Sequence, residues 1–446
     1  MRRNHDRRVQ GPRWVWLSSA AAVCLIAAAA TQAAAQPAAA TIAGDWEITR
    51  RPQFGSPQYD TVRFDVNADR VTGMAGGIKI EGTFRNGVID ATLQRGSDPP
   101  IGKLTGALKG GALSGEGNLG ENTFTWSARR AADPPRGGPK THVFAPTQFH
   151  NFFTSTIAPV LHVFPGDTVE TRSVDAGGTD ENGKRRAAGG NPLTGPFFVE
   201  GAFPGDTLVV KLNRVRLNRD SAISSGQIVA SAVTPGYHRN AKFDDNFSSD
   251  WTLDREAGLA RLTKPTARLK DYTVPLKPML GCIGVAPPET ASYRSGWLGA
   301  WGGNMDYNEL REGATLYLPV FHPGALLFLG DGHAVEGDGE LTGNALETSM
   351  EFSFTVDVIK KKSVPQPRAE NAQYRMASGI ANSLTDALQQ ATTNLARWLA
   401  DDYKLEANEV AVVLGTAIRY DIAEVVDPMI HVVAKIDKKV LEPIPR

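Results

Sequence analysis

The sequence predicts a mainly β protein with a smaller α+β part near the C-terminus. Glycine and proline are frequent, at 45 and 28 of 446 residues, which is typical of a chain with many turns. Short runs that alternate between apolar and polar residues recur between these turns, as strands do. A helical spacing of apolar residues is clear only in one late segment, residues 384–399.

The first 36 residues have the features of a cleavable signal peptide. Five arginines lie within the first 13 residues, an apolar run extends from Val15 to Ala30, and Ala33–Ala35 offers a small-residue cleavage site. The apolar run is short for a bilayer span, so we expect no stable membrane anchor after cleavage. The sequence therefore predicts a periplasmic or secreted protein.

The charge and cysteine content indicate which partners the protein can bind and whether disulfides can stabilise it. The chain has 48 basic and 48 acidic side chains, and residues 1–35 hold five of the arginines and one of the aspartates. The remaining chain is slightly acidic and has no basic stripe, which argues against a nucleic-acid partner. Cys282 is then its only cysteine, so we expect no internal disulfide.

Residues 41–130 are predicted to form a small antiparallel β domain, either a meander or a small barrel. Alternating runs follow one another between glycine turns at residues 44–48, 61–64, 78–84, 88–93 and 124–126. We find no catalytic set of residues there and interpret this part as an accessory module. Residues 131–140 are a linker by composition, and residues 141–446 form the main domain.

The main domain opens with a repeated turn motif, Pro-Gly-Asp, at residues 165–167 and 204–206. Proline followed by glycine suits the central positions of a type II turn, and each copy leads into an apolar run. We interpret both copies as structural corners. Between them, residues 175–190 form a loop rich in glycine and charge, and long ordered loops are often functional.

The later strands and helices are predicted from the spacing of apolar residues along the chain. Residues 220–275 are polar and irregular, and we interpret them as excursions or a lid. Met279–Pro287 is an apolar segment expected to be buried, and residues 317–321 and 350–360 are expected strands. Ser383 is a predicted N-cap for the helix over residues 384–399, and a second short helix is expected at residues 409–414.

Acidic residues and histidines are concentrated between His322 and Glu340. Ala325–Leu329 is short enough for a buried strand, and a glycine-punctuated loop is expected after it. Such a loop can present ligands or acid–base groups from a fixed position. The candidates there are Asp331, His333, Glu336, Asp338 and Glu340. We expect His333 to be functional, and we interpret Glu336 and Asp338 as turn-forming residues.

Four motifs in order make the main domain similar to a known family. They are N-P-L-T-G-P-F-F-V-E-G-A-x-P-G-D from Asn191, P-M-L-G-C-I-G-V-A-P from Pro278, G-G-N-M-D from Gly302, and F-H-P-G-A-L-L-F-L-G-D-G-H-A-V-E-G-D-G-E from Phe321. This set resembles the acetamidase/formamidase family, and the match runs from about residue 150 to the C-terminus.

The resemblance implies hydrolysis of short linear amides such as formamide or acetamide to ammonia and the acid. It also implies a β-sandwich or barrel-like core, a homo-oligomer, and a divalent metal, zinc in the first place, with calcium or another ion as alternatives. Some relatives have histidine before the proline of the first motif, where this chain has Asn191, which removes one potential ligand.

Amide hydrolysis sets the roles that the site residues must fill. The reaction needs a polarised carbonyl, an activated water and a proton for the departing nitrogen, and a divalent metal can supply the first two. The expected metal ligands are Asp175, Asp306 and His333. Glu200 or Glu340 is the expected general base or a further ligand, and Asn304 the expected donor to the oxyanion. Trp301 and Cys282 are expected to line the substrate site.

Two alternatives remain open from the sequence. The first is an amidase in which the Cys282 thiolate attacks the amide, although the apolar neighbours of Cys282 favour a buried and inert thiol. The second is a non-catalytic periplasmic protein that binds a small molecule on the same fold, which the additional β domain and Asn191 motivate.

Overall fold

The structure is a computed structural model that describes residues 41–244 and 246–445. The predicted signal peptide lies outside the described residues. Among the helices of the described residues, none is both long enough and apolar enough to span a membrane.

The first eight strands form a closed antiparallel barrel. They are β1 (Gly44–Pro52), β2 (Gln58–Asn67), β3 (Arg70–Ala75), β4 (Ile78–Arg85), β5 (Val88–Arg95), β6 (Gly102–Lys109), β7 (Ala112–Leu119) and β8 (Asn122–Arg130). Alternate residues such as Val62 and Phe64 point inward, and Trp46 and Trp126 are buried with them. The interior is therefore a packed core. This confirms the predicted small antiparallel β domain.

The strands after the barrel are short and belong mostly to two large sheets. They are β9 (Thr141–Val143), β10 (Phe152–Thr154), β11 (Leu161–Val163), β12 (Thr168–Arg172), β13 (Leu193–Val199), β14 (Thr207–Leu217), β15 (Ser221–Ile223), β16 (Asp250–Asp254), β17 (Leu259–Leu262), β18 (Thr273–Pro275), β19 (Met279–Gly284), β20 (Ser292–Arg294), β21 (Leu298–Gly299), β22 (Gly302–Asn304), β23 (Thr315–Pro319), β24 (Leu327–His333), β25 (Glu347–Thr348), β26 (Met350–Ile359), β27 (Arg368–Glu370), β28 (Tyr374–Ala381), β29 (Arg419–Glu424) and β30 (Ile430–Asp437).

One sheet has the order β18-β17-β16-β15-β25-β24-β19-β22-β21, with β13 beside β24 and β11 beside β13. The second has the order β29-β30-β28-β27-β23-β14-β26-β12-β9, and β10 pairs with β20 separately. Both sheets contribute to one apolar core, in which Phe197 packs edge-on against Phe354 across the sheets. The predicted mainly β fold is confirmed, and the candidate site lies in the first sheet.

The helices are α1 (Pro235–Asn240), α2 (Leu384–Tyr403), α3 (Ala407–Ala417) and α4 (Lys438–Leu441). The Ser383 hydroxyl accepts the Asp386 amide at the start of α2, as predicted, and the apolar face of α2 packs on β28 and β30. Helix α3 is longer than expected because Glu406 and Glu409 form a capping box before the predicted start.

Both Pro-Gly-Asp copies are corners, as predicted. Gly166 and Gly205 have φ values of 91° and 95°, the left-handed region that a type II turn requires at this position. Asp167 and Asp206 close the turns by accepting the amides three residues earlier, at 3.0 and 2.9 Å.

Two expectations were wrong. Residues 220–275 contain β15–β18, which extend the first sheet and bury alternate apolar residues such as Trp251 and Leu253. The strand expected at residues 325–329 runs instead from Leu327 to His333. Glycine at positions 330 and 332 lets the strand continue through this crowded region. A Cβ at Gly330 would lie 2.8 Å from Pro192 O, and a Cβ at Gly332 would lie 2.3 Å from the Met350 side chain.

Candidate functional site

Strand pairing brings the polar residues of the candidate site together. Asp331 and His333 are two residues apart on β24 and therefore share a face of the sheet. On one side His333 pairs with Glu347 of β25, and on the other β24 pairs with β19. Strand β22 pairs next with β19 and ends at Asn304, two residues before Asp306.

His333 is the centre of a buried cluster, here called the carboxylate cluster, which comprises His333, Asp306, Asp331, Glu336 and Glu347. The His333 Nδ1 atom donates to Glu336 Oε2 at 2.8 Å. Its Nε2 atom faces Glu347 Oε1 at 3.4 Å, Asp331 Oδ2 at 3.6 Å and Asp306 Oδ1 at 3.8 Å. The ring is thus oriented by one carboxylate and faces three others.

Each residue of the cluster has one buried side-chain atom that lacks a hydrogen-bond partner among the described residues. These atoms are His333 Nε2, Asp306 Oδ1, Asp331 Oδ1, Glu336 Oε1 and Glu347 Oε2. Buried polar atoms are normally paired, so such a concentration requires an explanation. A divalent ion would give these atoms partners, and the hydrogen bond from His333 Nδ1 to Glu336 matches the way in which metal-binding histidines commonly donate their other ring N–H to a carboxylate.

The spacing of the carboxylate oxygens that face His333 Nε2 fits a small divalent ion. Ligand atoms about 2.0–2.2 Å from a tetrahedral centre lie roughly 3.3–3.6 Å from one another. The separations of 3.4, 3.6 and 3.8 Å around His333 Nε2 need only a slight contraction to reach this range. The ligand atoms of Asp331, His333 and Glu347 lie within 4.8 Å of one another, and so do those of Asp306, His333 and Glu336. His333, Asp331 and Glu347 fit as ligands, Asp306 faces the same Nε2 atom, and Glu336 fits as the residue that orients the imidazole.

Gly281 provides the space in which the cluster forms. A Cβ at this position would lie 2.2 Å from Asp306 Oδ1 and 3.0 Å from both Asp331 Oδ2 and His333 Cε1. The backbone of Gly281 is not in the left-handed region. The requirement for glycine is therefore steric and is imposed by the cluster.

The buried acidic groups of the cluster also favour a cation, either a proton or a metal ion. Burial raises the pKa of Asp306 and of Glu347 well above the usual range, and neighbouring carboxylates add to the effect. Burial opposes protonation of His333, but the Glu347 and Asp331 carboxylates outweigh it and raise the pKa of the imidazole well above its usual value. So much buried negative charge persists only with protons or a metal ion beside it.

Strained backbone is concentrated around the cluster. Asn191, Asp306, Asp331 and Glu340 have φ values of 55°, 34°, 58° and 45°, where residues other than glycine are uncommon. Such conformations are unfavourable and persist where the surrounding structure imposes them, frequently at functional sites.

A small polar cleft of about 310 Å³ opens beside the cluster. Its walls are mainly glycines and short polar side chains, with one aromatic ring. The lining residues are Asn151, Gly189, Gly190, Asn191, Arg294, Gly296, Trp297, Asn304, Glu340, Gly343, Asn344, Glu347 and Asp427. Glu347 belongs to both the cleft and the cluster, so a molecule in the cleft reaches the cluster directly.

Asn304 and Asn191 link the cleft to the cluster. Asn304 Nδ2 donates to both Asp306 and Asp427. Asn191 Nδ2 donates to Asn304 Oδ1 and to Asp331 Oδ2, both at 2.9 Å. Asn191 therefore holds the Asp331 carboxylate of the cluster in place. Some relatives have histidine, a potential ligand, at this position. Both N–H groups of Asn304 are engaged, so it donates to an oxyanion only by releasing a carboxylate.

Cys282 lies behind Asn304 and is fully buried. Its thiol donates to Asn304 Oδ1 at 2.7 Å, and it is absent from the cleft lining. Burial, with Asp331 and Asp306 nearby, raises the pKa of the thiol well above its usual value. A thiol in this environment is protonated and a poor nucleophile.

The C-terminal strands contribute three further buried groups. Burial raises the pKa of Glu424 to about 9 and that of Asp427 to about 6, although the Asn304 hydrogen bond opposes the shift of Asp427. His431 donates from Nδ1 to Met305 O at 2.6 Å and accepts the Ser378 hydroxyl at Nε2. Burial lowers the pKa of His431 to about 4, so the neutral ring fixes the backbone beside Asp306.

The structure brings Asp306, His333, Glu340 and Asn304 to one place, as the sequence analysis expected. It places Asp175 elsewhere, in an ion pair with Arg219 at 2.6 Å and with the Thr179 amide on its other oxygen. Asp175 therefore holds the loop that ends at the cleft and does not join the cluster. Trp301 is buried against Tyr293 at 4.4 Å between ring centroids, and the tryptophan that lines the cleft is Trp297.

Glu200 also lies outside the cluster. Its Oε2 atom pairs with Arg129 of the barrel at 2.9 Å and its Oε1 atom with His162 at 2.6 Å. Arg129 also pairs with Glu47 and stacks on Phe198. Glu200 thus joins the barrel to the main domain, which does not fit the role of general base.

Replacing Glu200 with glutamine is expected to leave amide hydrolysis within about threefold of the wild type. The free energy of unfolding should fall by about 1 kcal/mol, because the partly exposed Arg129 loses one of its two carboxylate partners and keeps Glu47. Kinetics and denaturant unfolding measure the two effects. Glu340→Gln is the matched comparison, and a larger loss of activity from Glu200→Gln would contradict the placement.

The sequence analysis named Asp331 as a candidate without giving it a role, missed Glu347 and Asp427, and misassigned Glu336. Glu336 is buried and hydrogen-bonded to His333, so its interpretation as a turn-forming residue was wrong. Asp338 is exposed and accepts from Asn308, which agrees with a role in the loop. The position of Asp331 two residues before His333 was the one signal available, because alternate strand residues share a face.

Comparisons with known proteins agree with this fold. A sequence profile of the Acetamidase/Formamidase family matches residues 140–294 and 299–440, well over half of the chain. The formamidase of Methylophilus methylotrophus is 26% identical over 290 residues, covering 51% of this chain and 70% of the relative.

Two solved structures have the same architecture. A predicted acetamidase/formamidase from the thermophile Thermoanaerobacter tengcongensis superposes with a TM-score of 0.58 at 28% identity, covering 69% of this chain and 99% of the other. The acetamidase of Yersinia enterocolitica gives a TM-score of 0.57 at 29% identity, covering 68% and 93%. The chain belongs to the acetamidase/formamidase family.

Proposed function

We propose that this protein hydrolyses the C–N bond of short linear amides, of the formamide or acetamide type, with a metal-activated water. Family membership and the relatives named formamidase and acetamidase support amide hydrolysis. The small polar cleft suits such substrates, because more of its surface is polar than apolar and it offers several hydrogen-bonding groups.

His333, Asp306, Asp331 and Glu347 are the residues that would hold the metal. When bound there, a divalent ion supplies Lewis acidity towards the amide carbonyl and lowers the pKa of a water to about 7. Asn191 and Asn304 keep the carboxylates aimed inward through their hydrogen bonds. Glu336 keeps the imidazole in the tautomer that presents an unprotonated Nε2.

Glu340 is the residue that we assign to proton transfer. It lines the cleft, and its Oε1 atom accepts the Ala345 amide at 2.9 Å, which fixes the carboxyl group. Burial raises the pKa of Glu340 to about 8, close to neutral pH, where a group exchanges protons most effectively. In this proposal the ionised Glu340 carboxylate takes a proton from water and returns it to the departing nitrogen.

The observation that carries the proposal is the set of unpaired buried atoms around His333, directly beside the cleft. The test is ammonia release from formamide and acetamide by the purified protein, with metal analysis before and after chelation. We expect release that is lost on chelation and restored by Zn²⁺ or another divalent ion. A protein that is stabilised by amides but never releases ammonia would instead be a binding protein.

Replacing Cys282 with alanine distinguishes the metal-dependent reaction from a thiol nucleophile. We expect metal content to be unchanged and kcat to fall by less than about tenfold, because the thiol supports Asn304 without touching the cleft. Removal of a true nucleophile costs several orders of magnitude. Complete loss of activity with the metal still bound would establish the thiol mechanism.

We further propose that the protein acts after export. The basic and apolar pattern of residues 1–36 supports this. Expression of the full chain, followed by fractionation and N-terminal sequencing, tests it. The expected product begins near residue 36 in the periplasm or medium, and an uncleaved protein in the cytosol would contradict export.

A further inference from the structure

A second cavity, of about 290 Å³, lies between β27, β28 and α2, and its lining differs from that of the catalytic cleft. Three cationic side chains meet two carboxylates and several apolar groups. The lining residues are Thr207, Tyr317, Ile359, Lys362, Val364, Arg368, Glu370, Arg375, Trp398 and Asp402. None of these residues lines the cleft beside the carboxylate cluster.

Both carboxylates of this cavity already have cationic partners. Asp402 pairs with Arg375 at 2.8 Å and with Lys362 at 3.7 Å. Glu370 pairs with Lys438 at 2.9 Å and accepts the Tyr317 hydroxyl at 2.7 Å. The carboxylates are therefore neutralised without any contribution from Arg368.

Among the three cationic side chains that line the cavity, Arg368 is the one without a carboxylate partner in the described part of the chain. It is 5% exposed, and no carboxylate of the described residues lies within 4 Å of it. Its Nε and Nη2 atoms donate to Oδ1 and to the backbone oxygen of Asn394, at 2.7 and 3.3 Å, and Nη1 has no such bond within the described part of the chain. Burial lowers the pKa of Arg368 to about 10, although Asp401 and Asp402 oppose the shift. A buried guanidinium without an anion is unfavourable.

The surroundings of Arg368 leave its guanidinium group facing a cavity with both charged and apolar walls. Arg368 and Arg375 both lie over the Trp398 ring, at 5.2 and 5.0 Å from its centroid. Guanidinium groups bind carboxylates through paired N–H donors in a fixed plane. Ile359 and Val364 add apolar wall to the same cavity.

We propose that this cavity binds a small organic carboxylate. Arg368 takes the carboxylate, Lys362 contributes positive charge at the rim, and Ile359 and Val364 take the apolar part of the ligand. This inference does not depend on the catalytic function proposed above, because no residue is shared between the two sites.

The test is calorimetric titration of benzoate into the full-length protein at low ionic strength and pH 7. We expect one saturable site in the wild type and in Asp306→Asn, which alters only the catalytic cleft. Affinity should fall by at least about tenfold in Arg368→Gln, because a charge-assisted hydrogen bond is lost. Benzyl alcohol, which lacks the charge, should not bind.

Each contrary result overturns the proposal. No saturable binding of benzoate, unchanged affinity in Arg368→Gln, or loss of binding only in Asp306→Asn would each do so. Saturable binding of inorganic phosphate but not of benzoate would exclude the apolar part of the ligand. If circular dichroism shows that Arg368→Gln is unfolded, benzoate binding is measured in Lys362→Met instead. Lys362 is half-exposed at the rim, so its replacement should leave the fold intact. A weakening of benzoate binding supports the proposal, and an unchanged affinity overturns it.

Discussion

Replacing Gly281 with alanine is expected to lower kcat/KM for a short amide by at least about 100-fold while leaving the fold intact. The added methyl group would lie 2.2 Å from Asp306 Oδ1 and 3.0 Å from Asp331 Oδ2 and His333 Cε1. Asp306 must therefore move by roughly 1 Å or more, and displacements of that size at a reacting site can cost about 100-fold in rate. Metal affinity should fall with activity, since the same atoms would bind the metal.

The control for this variant is Gly337→Ala, which lies in the loop between His333 and Glu340. A Cβ at Gly337 meets no atom within 4 Å, and its backbone is outside the left-handed region. We expect activity, metal content and Tm close to those of the wild type. If Gly281→Ala retained both metal and activity, the cluster would not be the catalytic centre.

Much of the fold could be predicted because its signals are local. Alternating runs between glycine turns indicate strands wherever they occur, and the Ser383 cap and apolar period of α2 lie within one segment. The two Pro-Gly-Asp corners were predicted for the same reason, since three residues determine each turn.

The site could be predicted only where a motif marked it. Asp306 and His333 belong to such motifs, but Glu347 reaches the cluster through its pairing with His333 across β24 and β25. Strand register depends on contacts distant in sequence, so no local pattern shows it. Glu200 was misassigned for a related reason, because its partner Arg129 is 71 residues away on the barrel.

The carboxylate cluster also predicts a conflict between stability and function. Replacing Glu347 with glutamine is expected to stabilise the metal-free protein at pH 7–8 and to abolish both amide hydrolysis and stabilisation by Zn²⁺. Burial raises the pKa of Glu347 well above its usual value, with the Asp331 and Glu340 carboxylates adding to the shift and His333 opposing it.

The sign of this effect follows from proton linkage. In the unfolded chain a glutamate loses its proton near pH 4, whereas folded Glu347 keeps its proton to a higher pH. Between these values the folded state binds more protons, so the wild type loses stability as pH rises through this window. Glutamine has nearly the same shape and no charge, so the advantage of the variant should be small at pH 4 and grow towards pH 8.

Thermal unfolding in EDTA and in Zn²⁺, at several pH values, measures these differences. Glu351→Gln is the matched control, because Glu351 is half-exposed and pairs with Arg214 at the surface, where such pairs contribute about 0–1 kcal/mol. It should respond to Zn²⁺ as the wild type does. A Glu347→Gln variant that is less stable in EDTA yet fully stabilised by Zn²⁺ would show that Glu347 serves the fold and not the metal. The result that we expect is a Glu347→Gln variant that is more stable than the wild type in EDTA and is not stabilised by Zn²⁺. It would mean that the buried carboxylates are retained for catalysis at the expense of the stability of the metal-free protein.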